Sequence, residues 1–372
     1  MDTSPILVVL NLAAAAALLI WAVRLVRTGF ERAFGGQLRL WLRRSTDGRL
    51  AATATGTLSA ILLQSSTAVA MLLAGFMAAG SVGSTAGLAV ILGADLGSAI
   101  VAQILNSRIA VLTPLLLLVG VLFFLRSSRR SVRQIGRILI GLALIFLSLD
   151  LIRDVSTPLS NSDAALTYLS GDPLTAFLLA AVFAWLVHSS VAAILLFATL
   201  AAQGVLPLGA AFAMVLGANL GGASIAFVLT LKANVTVRRV ITCNLLLRGG
   251  GAGLTLFLLY QFEGAELIPG ATSVQQVLNL HLIFNFGLLV ICLPFLGPVM
   301  RLAKMVIADA SSLDPEANGR SALDPSVQNQ PARAFNCAQR ELVEMGNRIE
   351  IMVRDSMPLF DTYDDVVAQR LK

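Results

Sequence analysis

The chain has 372 residues, 57% of them hydrophobic and only 13% charged, a balance too apolar for an ordinary soluble domain. Its net charge of +6 would suit nucleic acid, but the arginines cluster in short stretches between apolar runs. That placement points to orientation in a bilayer and excludes a nucleic-acid partner. Cys243, Cys292 and Cys337 are odd in number and lack CxxC spacing, so neither a disulfide framework nor a zinc site is supported.

Apolar runs at residues 6–26, 109–125, 135–152, 240–260 and 277–296 approach or reach the roughly 20 residues that a helix needs to cross the hydrocarbon core. The first run has no basic stretch before it and no small-residue cleavage site after it, so it reads as a mature helix rather than a secretory signal.

Between these runs an internal repeat is visible. Gln64, Ser65 and Ser66, with Ala68, Gly80 and the segment Gly93 Ala94 Asp95 Leu96 Gly97, recur 124 positions later as His188, Ser189 and Ser190, with Ala192, Gly204 and Gly217 Ala218 Asn219 Leu220 Gly221. The constant offset without a gap establishes a duplication. In each copy two short apolar arms flank a polar centre, 51–63 and 68–79 in the first, 174–187 and 191–202 in the second. Arms of this length rise only ~20 Å and fall short of spanning, which predicts a re-entrant hairpin. The competing reading places each serine motif inside one ordinary crossing helix whose glycines serve close packing. The stretches that follow, 82–105 and 206–231, are long enough to cross. Their central glycines predict broken helices.

Charge supplies a topology. Seven arginines between Arg24 and Arg49, five between Arg126 and Arg137, and Lys232, Arg238 and Arg239 all fall on one side if the hairpins do not cross. The positive-inside tendency makes that side cytoplasmic, with the N-terminus outside and the C-terminus inside. Three crossings then separate the hairpins and invert the second against the first. The expected fold is an all-α polytopic membrane protein of two inverted-topology repeats, about 51–125 and 174–260, within a transport domain 1–300. A polar linker (301–331) follows, then an amphipathic cytoplasmic tail (332–372) whose stripe of Ala334, Ala338, Leu342, Met345, Ile349 and Met352 needs a partner such as a second protomer.

Irregular backbone at membrane depth persists only where it is buried or lines a cavity. Both tips and both broken helices are therefore expected to meet at one site. Amides at helix N-termini there favour an anion, and freed carbonyls and the hydroxyls of Ser65, Ser66, Thr67, Ser189 and Ser190 suit sodium.

These paired motifs, with His281 and Asn285, resemble the type II sodium/phosphate cotransporter family over roughly residues 1–300. The segment around 337–357 looks like the start of the PhoU-type helical domain that many bacterial members carry. The resemblance implies sodium-coupled phosphate transport by alternating access in a bacterial inner membrane, with sodium as coupling ion and no other cofactor. Gln64, Ser65, Ser66, Thr67, His188, Ser189, Ser190 and Arg248 are expected to contact substrate; Ser65, Ser66, Asp95, Ser189, Ser190 and Asn219 are expected to bind sodium. Against the family pattern, His188 replaces a second Gln, Val191 a third hydroxyl residue, Asp95 an Asn, and Ser98 and Gly222 a Thr. Asn244 and Arg248 stand four apart in the sixth crossing, as His281 and Asn285 do in the seventh.

A lone charge in a membrane helix is costly, so Asp95 and Arg248 are expected to pair. His188 reads either as a hydrogen-bonding substitute for Gln or as a proton-coupling group. His281 reads as a packing and hydrogen-bonding residue. An enzyme is disfavoured, since the one His beside a Ser is its immediate neighbour and the two side chains diverge on a helix. The remaining alternatives are a sodium- or proton-coupled carrier or exporter of another small anion, an anion channel, or a phosphate-signalling partner acting through the tail. The tail stripe makes a homodimer the expected assembly.

Overall fold

The computed structural model describes residues 5–44, 48–106, 111–156, 172–262, 264–307 and 331–356. The chain divides after Asp309 into two units. Among the described residues all regular structure is helical, and six stretches are long and apolar enough to cross a membrane: Ile6–Gln37, Ser84–Leu105, Arg130–Ser156, Leu208–Leu229, Val235–Gln261 and Ser273–Val306. This is an all-α, multi-pass membrane protein.

The first unit runs α1 (Pro5–Arg44), α2 (Arg49–Leu63), α3 (Ser66–Ala78), α4 (Ser84–Leu105), α5 (Leu112–Arg126), α6 (Arg130–Ser156), α7 (Pro173–Val187), α8 (Ser190–Ala202), α9 (Leu208–Leu229), α10 (Val235–Leu245), a π turn (Leu246–Gly250), α11 (Gly251–Gln261), α12 (Ser273–Cys292) and α13 (Leu296–Val306). The second unit contributes α14 (Pro331–Ser356). Its expected stripe residues Leu342, Met345, Ile349 and Met352 are exposed. Helix α13 continues to Val306 and α14 begins at Pro331; residues 308–330, most of the expected linker, lie outside the described residues. The expected crossing 109–125 begins outside them too, and its described part, α5, has 15 residues. It packs along α6 where Gly120 and Gly136 let the two backbones approach.

The duplication is carried through to the element boundaries. Helices α2, α3 and α4 begin and end 124 positions before α7, α8 and α9, and Gly80 and Gly204 both take positive φ, 69° and 73°. The arms α2, α3, α7 and α8 have 15, 13, 15 and 13 residues, which is too short to span.

The expectation of broken helices is corrected. Helices α4 and α9 are each 22 residues long and uninterrupted through their glycine segments. The glycines act instead as contact points. A Cβ on Gly93 would strike the Thr53 carbonyl and one on Gly97 the Thr57 carbonyl, while Gly217 and Gly221 meet the carbonyls of Phe177 and Ala181 in the same way. Contacts that pair residue 53 with 93 and 57 with 97 run in register, so each first arm lies parallel to its long helix. Missing side chains let backbones touch without breaking the helix, as small residues do in membranes.

Several of the arginines that cluster between apolar runs lie within helices. Arg24, Arg27 and Arg32 belong to α1, and Arg24 donates to the Val187 carbonyl at the end of α7. Arg49 donates to the Leu293 and Pro294 carbonyls and Arg239 to that of Ile307, each placing a cation at a helix C-terminus where the dipole welcomes it.

Candidate functional site

Each hairpin turns on one residue in the left-handed region, Gln64 (φ 51°, ψ 31°) and His188 (φ 55°, ψ 31°). Non-glycine residues rarely hold this conformation unless their surroundings enforce it. The next serine starts the returning arm: Ser65 Oγ accepts from the Ala68 amide at 3.1 Å and Ser189 Oγ from the Ala192 amide at 3.2 Å. These are N-caps, so the serines that the sequence marks as tip ligands also hold the starts of α3 and α8. Ser66 and Ser190 follow as the first helical residues, both buried.

Arg248 lies inside the π turn and is only 1% exposed. A π turn inserts one extra residue and re-aims the side chains around it, often at functional sites. Here the guanidinium meets three helices. Nη1 contacts Asp95 Oδ1 of α4 at 2.5 Å and Ser66 Oγ of α3 at 3.4 Å, while Nε and Nη2 donate to Asn219 Oδ1 of α9 at 3.2 and 3.1 Å. The expected ion pair is formed, with both side chains 1% exposed. Gly222 adjoins the same group. A Cβ there would stand 3.3 Å from Ser190 Oγ and 3.5 Å from Arg248 Nη2, so the start of the second returning arm borders the guanidinium as well.

Helix α12 completes the centre. Asn285 Nδ2 donates to Asn219 Oδ1 at 3.1 Å, and the His281 Nδ1 lies 3.1 Å from the amide nitrogens of both Asn219 and Asn285. Asn244 and Ser66 stand beside the Asp95 carboxyl. Several buried polar atoms of this centre have no hydrogen-bond partner, Asp95 Oδ2, Asn244 Oδ1, His281 Nε2 and Asn285 Oδ1, as does Gln64 Oε1 at the first tip. Such atoms at depth are candidates to meet a polar solute or water.

Of the residues singled out in the sequence, the structure thus gathers Ser66, Asp95, Asn219 and Arg248, with Ser190 at the edge. It leaves His188 exposed, its Nδ1 3.1 Å from the Leu186 carbonyl. Thr67 is half-buried. Ser98 Oγ turns to the Asp95 carbonyl at 2.7 Å. His281 makes the hydrogen bonds expected of it, while Asn285 and Asn244, not among the expected contacts, join the centre; each belongs to a pair four residues apart, Asn244 with Arg248 and His281 with Asn285. The sequence reading missed the π turn, which three consecutive glycines after Arg248 could have flagged.

A polar cleft of about 900 Å³ lies at one end, lined by Gln103 and Asn106 at the finish of α4, Arg153 of α6, Gln203 beyond α8 and Gln276 of α12. The finish of α8 thus lies at the end where α4 finishes, whereas Met77 near the finish of α3 lies against Gly87 near the start of α4.

Helices that enclose a charged and amide-rich centre at depth define a polytopic membrane protein built to handle a polar solute. The model of the Na+/Pi-cotransporter family matches residues 18–154 and 159–298, and the chain belongs to that family, one of transporters and not of enzymes. It is 37% identical over 353 residues to the Escherichia coli K12 protein YjbB, whose name proposes inorganic phosphate export, and 35% identical over 350 residues to its Salmonella typhimurium counterpart. Each alignment covers 93% of this chain and 64% of the relative's length. The Bacillus subtilis protein YqeW, uncharacterised by name, is 24% identical over 249 residues, 66% of this chain and 81% of that protein. No solved structure matches significantly.

Proposed function

We propose that this chain moves inorganic phosphate across the membrane as a sodium-coupled secondary transporter working by alternating access. The observation that carries this reading is the placement of two duplicated, serine-capped helix starts by the buried guanidinium of Arg248, with Ser66 in contact and Ser190 across Gly222 from it. Helix N-termini and an arginine favour a compact anion, and the family and the relatives' names supply phosphate as that anion. Gln64, Ser65, Ser66, Thr67, Ser189, Ser190 and Arg248 are the proposed substrate contacts. His188 is proposed to reach the substrate only when its tip reorganises.

The hairpins are proposed to enter from opposite faces as inverted repeats. The finishes of their returning arms at opposite ends of α4 support this, as do arm lengths too short to span. The basic stretches support a cytoplasmic C-terminus in a bacterial inner membrane, and the relatives' name supports export. The exposed stripe of α14 supports its reading as the opening helix of a PhoU-type domain and a homodimer contact.

Radiolabelled phosphate flux in proteoliposomes tests the proposal. Flux should accelerate with a sodium gradient, be inhibited by excess unlabelled phosphate and resist sulfate. Equal competition by sulfate would remove phosphate as the substrate. Passive conductance of anions without gradient coupling would make the protein a channel.

A further inference from the structure

We infer that the Arg248 guanidinium is a resident cation, filling a position that would otherwise be taken by a sodium ion. The inference deepens the transport reading above and rests on it for its functional meaning. A sodium ion at membrane depth is held by oxygens from small side chains and backbone carbonyls, drawn from several helices. Arg248 has gathered such a set: a carboxylate oxygen of Asp95, the amide oxygen of Asn219 and the hydroxyl of Ser66. These belong to α4, α9 and α3. They are three of the six residues expected to bind sodium, and all three now face one positive charge that neither dissociates nor deprotonates.

Two local features make room for it. The π turn carries Arg248 into the centre. Gly222 is the counterpart of Ser98 in the first copy, 124 positions earlier, and a Cβ there would stand 3.1 Å from Ser190 Cβ and 3.5 Å from Nη2. Asp95 and Arg248 together carry no net charge, so a sodium ion added beside them would face the guanidinium's repulsion without an unpaired carboxylate to offset it. With Arg248 neutralised, the Asp95 carboxylate becomes a vacant ligand for a small cation. The native chain therefore couples one sodium ion fewer than a form lacking this positive charge.

The full chain is purified as native protein and as Arg248→Gln, Arg248→Asn, Arg248→Lys and the double variant Asp95→Asn/Arg248→Gln. Melting in sodium chloride is compared with melting in choline chloride at equal ionic strength, and phosphate flux is titrated with sodium. The two neutral variants should gain a sodium-specific rise in melting temperature of several degrees beyond the native response. Arg248→Lys, which keeps a cation, and the double variant, which loses the carboxylate, should show no such gain. A neutral variant that folds only in sodium gives the same answer. Identical sodium responses in native and neutral variants, a gain that survives in the double variant, or neutral variants that fail to fold with and without sodium, overturn the inference. A sodium gain without phosphate flux in any form would keep the resident cation and remove phosphate, whereas phosphate flux with unchanged sodium responses would do the reverse.

Discussion

The two copies of the repeat share a backbone and differ in chemistry. Both have a left-handed tip residue, a serine cap three residues before its amide donor, and a pair of glycines seated on the first arm's carbonyls. Yet the tip is a buried Gln64 in one and an exposed His188 in the other, and the long helix presents Asp95 in one and Asn219 in the other. The first hairpin begins at Gly48 with no side-chain cap, the second at Asp172 with one. Duplication has preserved what the turn and the helix contact require, and the copies differ at the tip residue and at the centre of the long helix. Arg248, in the second copy beyond its glycine segment, bonds to Ser66 and Asp95 of the first and to Asn219 of its own.

That asymmetry can be broken most forcefully at the centre. Asp95→Ala or Arg248→Ala strands a buried charge and should cost about 3–5 kcal/mol each, with the double variant losing clearly less than the sum. Asn219→Ala, at the equivalent position of the second copy, removes a neutral partner and should cost about 1–3 kcal/mol. Melting of purified protein in detergent measures all four, and equal losses for Asp95→Ala and Asn219→Ala would erase the distinction drawn between the copies.

The symmetric features should respond symmetrically. Gly93→Ala and Gly217→Ala each push a methyl into a carbonyl across the helix contact and should lose about 1–3 kcal/mol apiece. A loss in only one copy would show that the seams are not equivalent. Ser65→Ala and Ser189→Ala should each cost about 1 kcal/mol as cap removals, with phosphate flux falling further than melting predicts.

The smallest effect is expected at the one capped entry. Asp172 accepts from the Thr175 hydroxyl and from the amides of Thr175 and Leu174, which holds its carboxyl below the usual carboxylate range. A lowered folded-state value stabilises the fold above the unfolded carboxylate's range, about pH 4, and the gain disappears as pH falls through the folded value. The melting difference between native protein and Asp172→Ala should therefore narrow between about pH 5 and pH 3. A constant difference across that range would assign the cap no ionic part.

Much of this is legible in the sequence. The 124-residue offset, the short arms and the pairing of Asp95 with Arg248 follow from spacing and from the cost of a lone charge in lipid. The glycine segments misled because the same residue that weakens a helix also permits close backbone contact. Only the presence of an arm opposite Gly93 and Gly217 decides between the two. The π turn at Arg248 escaped because a one-residue insertion leaves the apolar pattern of 240–260 intact. The hydrogen-bonding reading of His281 holds, but its partner Asn219, shared with Asn285, could not be named from the sequence because it lies 62 and 66 positions away.

The glycine seams also set what can travel. With Gly93 and Gly97 pressed on one arm and Gly217 and Gly221 on the other, each hairpin is keyed to its long helix and has no freedom to slide along it. In the proposed alternating-access cycle one keyed pair would shear past the other, and Arg248 bridges that plane, holding a carboxylate on one side and an amide on the other. Loosening one of those two grips first would then set which side of the membrane is reached.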